Sequence, residues 1–217
     1  MKRLLGITLG QLFSYMAVAQ IPYYAGTVGD GLLYGYTSVK CRPGINHQET
    51  YSTLQYGLGD HFATGIDLYT GPNCSYWGAL LRYGNKFSQW LNIGGEVISS
   101  FNLNDSFHFS YLTTGLYMNG ALSCDGRLFW CTNSWWVANK GADDTWSNYE
   151  YLGYSIKLKN GHSITPLVGA IHSWKFDQDV DVAAGFYYTI KNWTMYVWGN
   201  DFLKEHPRLV AGLEFIL

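Results

Sequence analysis

Seven polar residues share a face once the chain is read in steps of two: Lys40, Glu49, Asp67, Arg82, Asn92, Glu96 and Glu214. Each lies in a stretch where polar and apolar residues alternate, and an extended strand sends alternate side chains to opposite faces. Charges of both signs on one inner face can pair with one another and fill an interior. They can also line a wet passage whose field selects solutes. Nucleophilic chemistry has thinner support. His108 and Ser110 share a face, whereas Ser173 adjoins His172 but points away from it. A triad assembles across strands, so none of these spacings dictates one, and no catalytic residue is assigned. Asp177, Asp179 and Asp181 would place three carboxylates on one side of an extended chain. The Gly and Glu of a calcium loop are missing, so a solvated acidic loop is the ordinary reading. Cys41, Cys74, Cys124 and Cys131 are even in number and lack metal-ligand spacing. Disulfides (Cys41 with Cys74 across a hairpin, Cys124 with Cys131 about a turn) and free thiols both stay open. No cofactor and no metal is implied.

The elements that must position these residues are short and numerous. The 217 residues suit one domain, with 14% charged residues, 18% aromatic residues and 25 glycines. Mean hydropathy is only −0.08, well below that of a helical membrane bundle. Greasy and wet faces that average out in this way are the mixture of a membrane β-barrel. The net charge of −2 leaves no basic footprint for nucleic acid. Alternation and turn residues predict about twelve strands, with ten as the other count. They run Leu32–Cys41, Glu49–Gly57, Phe62–Thr70, Ser75–Tyr83, Gln89–Phe101, from Ser106, Arg127–Val137, Asn148–Leu158, Ser163–Trp174, Asp181–Ile190, Trp193–Trp198 and Arg208–Leu217. Asn119-Gly120 and Asp125-Gly126 are rival turn signals between the sixth and seventh strands. Pro166 cannot donate to a ladder and implies a bulge or an open edge. Tyr56, Tyr69, Tyr83, Trp90, Trp146, Trp174, Trp193 and Trp198 fall near strand ends, where amphipathic rings suit headgroup depth. Their rival use is stacking on sugar rings.

Residues 1–19 read as a cleaved export signal: Lys2 and Arg3, an apolar run from Leu4, then Ala17-Val18-Ala19 before Gln20. Residues 20–31 read as a periplasmic lead-in, and 32–217 as the barrel. In the closing stretch, Leu209, Ala211, Leu213, Phe215 and Leu217 make an apolar face, with Arg208 and Glu214 opposite. An apolar edge strand invites aggregation unless it is paired, and a closed barrel removes edges altogether. This stretch resembles the terminal strand of bacterial outer-membrane β-barrels. That family usually ends in an aromatic residue, whereas here Leu217 is last and Phe215 lies two back. The resemblance implies an all-β, antiparallel up-and-down barrel in a Gram-negative outer membrane. Its partners would be lipid, lipopolysaccharide and the barrel-assembly machinery. The expected function is a monomeric small-solute channel or a structural barrel. The alternatives are a lipid-modifying outer-membrane enzyme (deacylase or acyltransferase-like) and a secreted glycan-binding β-protein.

Overall fold

A computed structural model describes residues 25–44, 47–174, 177–202 and 204–217, with side chains outside 173–179. The expected signal and the first part of the lead-in fall outside the described residues. The strands are β1 (Leu33–Arg42), β2 (His47–Gly57), β3 (Phe62–Thr70), β4 (Ser75–Lys86), β5 (Asn92–Asn102) and β6 (His108–Ala121). They continue as β7 (Leu128–Asn139), β8 (Thr145–Tyr154), the two-residue β9 (Ile156–Lys157), β10 (His162–Trp174), β11 (Asp177–Ile190), β12 (Trp193–Asn200) and β13 (Arg208–Ile216). Consecutive strands pair antiparallel, and β13 returns to β1 with Glu214 opposite Tyr36 and Ala211 opposite Val39. The ring is therefore a closed barrel of twelve long strands among the described residues, with β9 a stub on β10.

Closure follows from the alternation. In β3, Phe62, Ile66 and Leu68 are exposed on the outside, while Ala63 and Asp67 are buried inside. Val39, Leu81, Val97, Leu116, Leu152, Val168, Val182, Phe186, Val197 and Leu209 carry the same apolar exterior around the ring. A sheet this greasy on one side and polar on the other has nowhere to hide its edges in lipid except by closing on itself. Both the start of β1 and the end of β13 lie at one end of the barrel, called the near end below; the opposite rim is the far end.

Four local expectations change. A bulge between β5 and β6 sets Ser100 opposite Tyr111 but Phe101 opposite Phe109, leaving Ser110 over. The bulge sends Phe109 outward and Tyr111 into the lumen, although strict alternation puts both on one face. It also removes the shared face predicted for His108 and Ser110; His108 is exposed and sits 3.5 Å from Asp105. Gly126, with φ +69°, makes the turn after β6, whereas Asn119 and Gly120 continue the strand. Pro166 pairs with Phe186 on β11, and on its other side the ladder breaks between β8 and β9 around Ser155. The predicted open edge therefore lies on the β8 side. Of the belt residues, Tyr56, Tyr83, Trp90, Trp146 and Trp193 are exposed outside. Tyr69 and Trp198 instead line the interior, in phase with the charged face, and the Trp174 side chain lies outside the described residues.

At the far end the connections differ in length. β7 extends to Asn139 and β8 begins at Thr145, so the connection there is short. Among the described residues the longest far-end connection follows β12, and its Asp201 and Lys204 are tied to the barrel. Arg42 meets Asp201 at 2.6 Å and Lys204 meets Asp181 at 3.0 Å. Burial opposes ionisation of Asp201, but a hydrogen bond with Asp181 and the Arg42 guanidinium hold its carboxyl below the usual carboxylate range. Of the three aspartates predicted to share a side, Asp181 is thus tied to a lysine; the side chains of Asp177 and Asp179 lie outside the described residues.

Candidate functional site: the barrel interior

Asp67, Arg82, Asn92, Glu96 and Glu214 are buried within the barrel, and Lys40 and Glu49 lie half-buried nearer the far rim. Three interactions organise them. Arg82 and Glu96 stand directly opposite on β4 and β5, with Nη1 3.0 Å from Oε2. The Tyr117 hydroxyl donates to Glu96 Oε1 at 2.5 Å, and the Arg82 guanidinium lies 4.4 Å from the centre of the Tyr117 ring. Arg82 Nε then donates to the Gly26 carbonyl at 2.9 Å. One cation thus has a carboxylate, a carbonyl and an aromatic face around it, which is how a buried charge becomes tolerable.

Asp67 stands apart from that pair along the wall, although the sequence places it on the same face. The register sets Arg82 opposite Ala63, while Asp67 stands further along opposite Gly78 and accepts a hydrogen bond from the Tyr51 hydroxyl. Lys40 faces Glu49 across β1 and β2 at 4.0 Å, and His47 Nε2 lies 2.6 Å from the same carboxylate. Asn92 Nδ2 donates to the Asn119 carbonyl at 3.4 Å. Glu214, only 2% exposed, has no hydrogen-bond partner for either carboxylate oxygen among the described residues. Asn133 and Thr165 are in the same position. Buried polar atoms without a protein partner are ordinarily met by ordered water, so these are the interior positions suited to hold it.

The cysteines are all free. Cys41 lies exposed on β1, and β2 and β3 stand between it and the loop holding Cys74. Strands are spaced roughly 4.8 Å apart, so that gap exceeds the reach of about 7 Å that a disulfide allows. Cys131 points into the lumen from β7, whereas Cys124 is exposed in the turn before it.

Alternation in the sequence already turns Tyr36, Tyr51, Tyr69 and Tyr187 inward, but it gives the aromatic lining no role. Tyr36 and Tyr51 have ring centres 5.3 Å apart, Tyr69 and Tyr76 6.0 Å, and Tyr76 and Tyr111 5.0 Å in an edge-on pair. Across the lumen Tyr187 stacks on Tyr196 at 5.1 Å. The signal was available: these tyrosines fall in phase with Lys40, Asp67 and Glu96, except Tyr111, which only the bulge turns inward. The two ends differ. The near-end half is filled on one side by Phe129, Leu167 and Tyr187, and Tyr196 and Val210 continue that cluster toward the far end. Toward the far end a cavity of about 280 Å³ remains, walled by tyrosines with Trp135 and Trp198, and with Lys40, Arg208 and Asp67 as its charged groups.

No family model matches the chain, and no curated protein matches it. Among solved structures it is similar to one described as KdgM porin, at 10% identity and TM-score 0.63, covering 84% of this chain and 98% of that one. A further structure of KdgM porin, described as in complex with disordered oligogalacturonate, aligns with the same TM-score of 0.63 at 10% identity, covering 84% and 98%. A structure described as NanC porin aligns at 10% identity and TM-score 0.57, covering 83% and 98%. Identity this low speaks for the fold, and on that ground the chain has the closed antiparallel barrel of bacterial outer-membrane porins.

Proposed function

We propose that the chain is a narrow outer-membrane channel for small, uncharged, hydroxyl-rich solutes of about sugar size. It would be exported through a cleaved signal, folded by the barrel-assembly machinery and active as a monomer, with its near end periplasmic. The observation that carries this reading is the far-end cavity. Tyrosine and tryptophan faces with hydroxyls at their rims offer stacking and hydrogen bonding together, as sugar rings require. Its volume of about 280 Å³ sits at the small end of the roughly 300–1,000 Å³ typical of ligand pockets. One porin of similar fold is described as in complex with oligogalacturonate, an acidic sugar chain. Here Lys40 and Arg208 face Asp67 and Glu49 in or beside the cavity. Charge balance of this kind favours neutral cargo over acidic cargo.

The test is conductance across planar bilayers with sugars added to the far side. A neutral mono- or disaccharide should reduce ion current in a saturable way, and Tyr76→Ala with Tyr111→Ala should weaken that block. Equal block by neutral and acidic sugars, or none by either in a conducting protein, would refute the cargo assignment.

A further inference from the structure

Residues 25–31 precede the first strand and belong to no sheet, yet 25–29 are buried, with only Asp30 and Gly31 exposed next to β1. Ala25 is 0% exposed, Thr27 7% and Val28 9%. From the start of β1 they run across the inner near ends of β2 to β6. The contacts come in order: Gly31 N donates to Gly57 O at 3.2 Å, and Gly59 N to Asp30 Oδ1 at 2.9 Å. Thr27 Oγ1 then donates to Asp60 O at 3.1 Å, Arg82 Nε to Gly26 O at 2.9 Å, and Ala25 N to Asn119 Oδ1 at 3.1 Å. In strand order β1 and β6 are five apart in a ring of twelve, so the segment reaches from one side of the mouth nearly to the other.

The wall is shaped to receive it. A Cβ at Gly57 would lie 1.6 Å from the Gly29 carbonyl oxygen, and one at Gly94 2.0 Å from that of Ala25. At Gly84 the nearest atoms all belong to the segment: Ala25 O at 2.5 Å, Gly26 C at 2.6 Å and Gly26 Cα at 2.7 Å. Three wall positions therefore carry no side chain where this backbone lies. On the other side of the lumen the near-end half is occupied by Phe129, Leu167 and Tyr187. The cavity described above lies beyond strap and cluster, toward the far end.

We propose that residues 25–31 form a strap that closes the near-end mouth of the channel, latched by Arg82 and Asn119 in a glycine cradle on β2, β4 and β5. This rests on the channel reading above. The latch joins directly to the Arg82–Glu96 pair, so the group that stabilises the wall also holds the strap. Opening requires that the backbone bonds at Ala25 and Gly26 and the bond of the Thr27 hydroxyl exchange for water, with the barrel strands untouched.

The experiment compares three forms in planar bilayers: the full chain, the chain with residues 25–31 removed, and Gly84→Val. The valine expels the strap by sterics while leaving Arg82, Glu96 and the strand pairing in place. Folding of each form is checked by heat-dependent mobility on gels, so that a misfolded form is not scored. The strap is supported if both altered forms show a several-fold rise in single-channel conductance over the full chain. If all three conduct equally, the strap is only a structural wedge and the channel stands. If none conducts although all are folded, strap and channel both fall.

Discussion

Replacing Arg82 by Gln tests the interior most directly, because it removes one charge from a pair whose geometry is known. The Arg82 side chain is 10% exposed and Glu96 4%, so neither is well screened by bulk water. Two unit charges about 4 Å apart interact by about 4 kcal/mol at an effective dielectric of about 20. Glutamine keeps a neutral hydrogen bond to the Glu96 carboxylate, worth about 1 kcal/mol. It loses the stack on Tyr117 and the Nε bond to Gly26, which offsets that gain. Arg82→Gln should therefore destabilise the folded barrel by about 3–5 kcal/mol, the usual cost of orphaning a buried charge. The double variant Arg82→Gln, Glu96→Gln should recover more than half of that, since no charge is then left unpaired. The measurement is urea unfolding of the protein in lipid vesicles, followed by tryptophan fluorescence. A single-variant cost under about 1 kcal/mol would mean that water screens the pair and the near-end interior is open. A double variant as unstable as the single would locate the cost in lost packing instead of unpaired charge.

Three further outcomes follow from the faces and the far-end loop. Phe186 lies outside and at mid-strand, so Phe186→Arg should cost about 2–4 kcal/mol in vesicle unfolding. Glu150, exposed on the same outer wall opposite Thr132 and Ala170, should gain stability as Leu, by up to about 2 kcal/mol. At the far end, the lowered pKa of Asp201 means its contribution is present above the ordinary carboxylate range and lost as pH falls through the lower folded value. Hydrogen exchange in 201–207 should accelerate below about pH 4, and Asp201→Asn should show the fast rate at every pH. A loop that stays protected in acid would remove the Arg42–Asp201 pair as its anchor.

The faces were legible because lipid and lumen demand opposite chemistry of neighbouring residues. Ile66 and Asp67 sit side by side in sequence and on opposite sides of the wall, and no other arrangement satisfies both. The charged set and the closing strand were legible for the same reason. What alternation cannot supply is anything that breaks it or crosses the lumen. The bulge at Ser110 inverts the phase of β6 within a single residue, so Tyr111 does not share the face of Phe109 that alternation gives it. The separation of Asp67 from Arg82 depends on the stagger between β3 and β4, which hairpin residues set and side-chain type does not. The strap is invisible because a short glycine-containing segment without periodicity looks like a lead-in. Only its glycine partners, far apart in sequence, reveal where it lies.

Strand number bounds the width of a barrel, but the side chains decide how much of that width is bore. Here Ala183 shows the difference. It faces inward, and inward positions of an open porin tolerate large polar residues. Yet Ala183 is 0% exposed, packed with Cys131, Tyr151 and Ile171. An arginine there would have to displace a packed cluster instead of extending into water, so inward and outward substitutions on β11 should both be costly, for different physical reasons. On the β1–β6 side the same interior is polar and hydrogen-bonded, with Arg82, Glu96 and Asp67 each held by a named partner. The lumen is thus lined unevenly: an aromatic and aliphatic cluster on the β7–β13 side, with Asn133, Thr165 and Glu214 buried beside it, faces the charged set on the β1–β6 side. A channel would run most readily along the charged side, where the proposed strap is the element to displace.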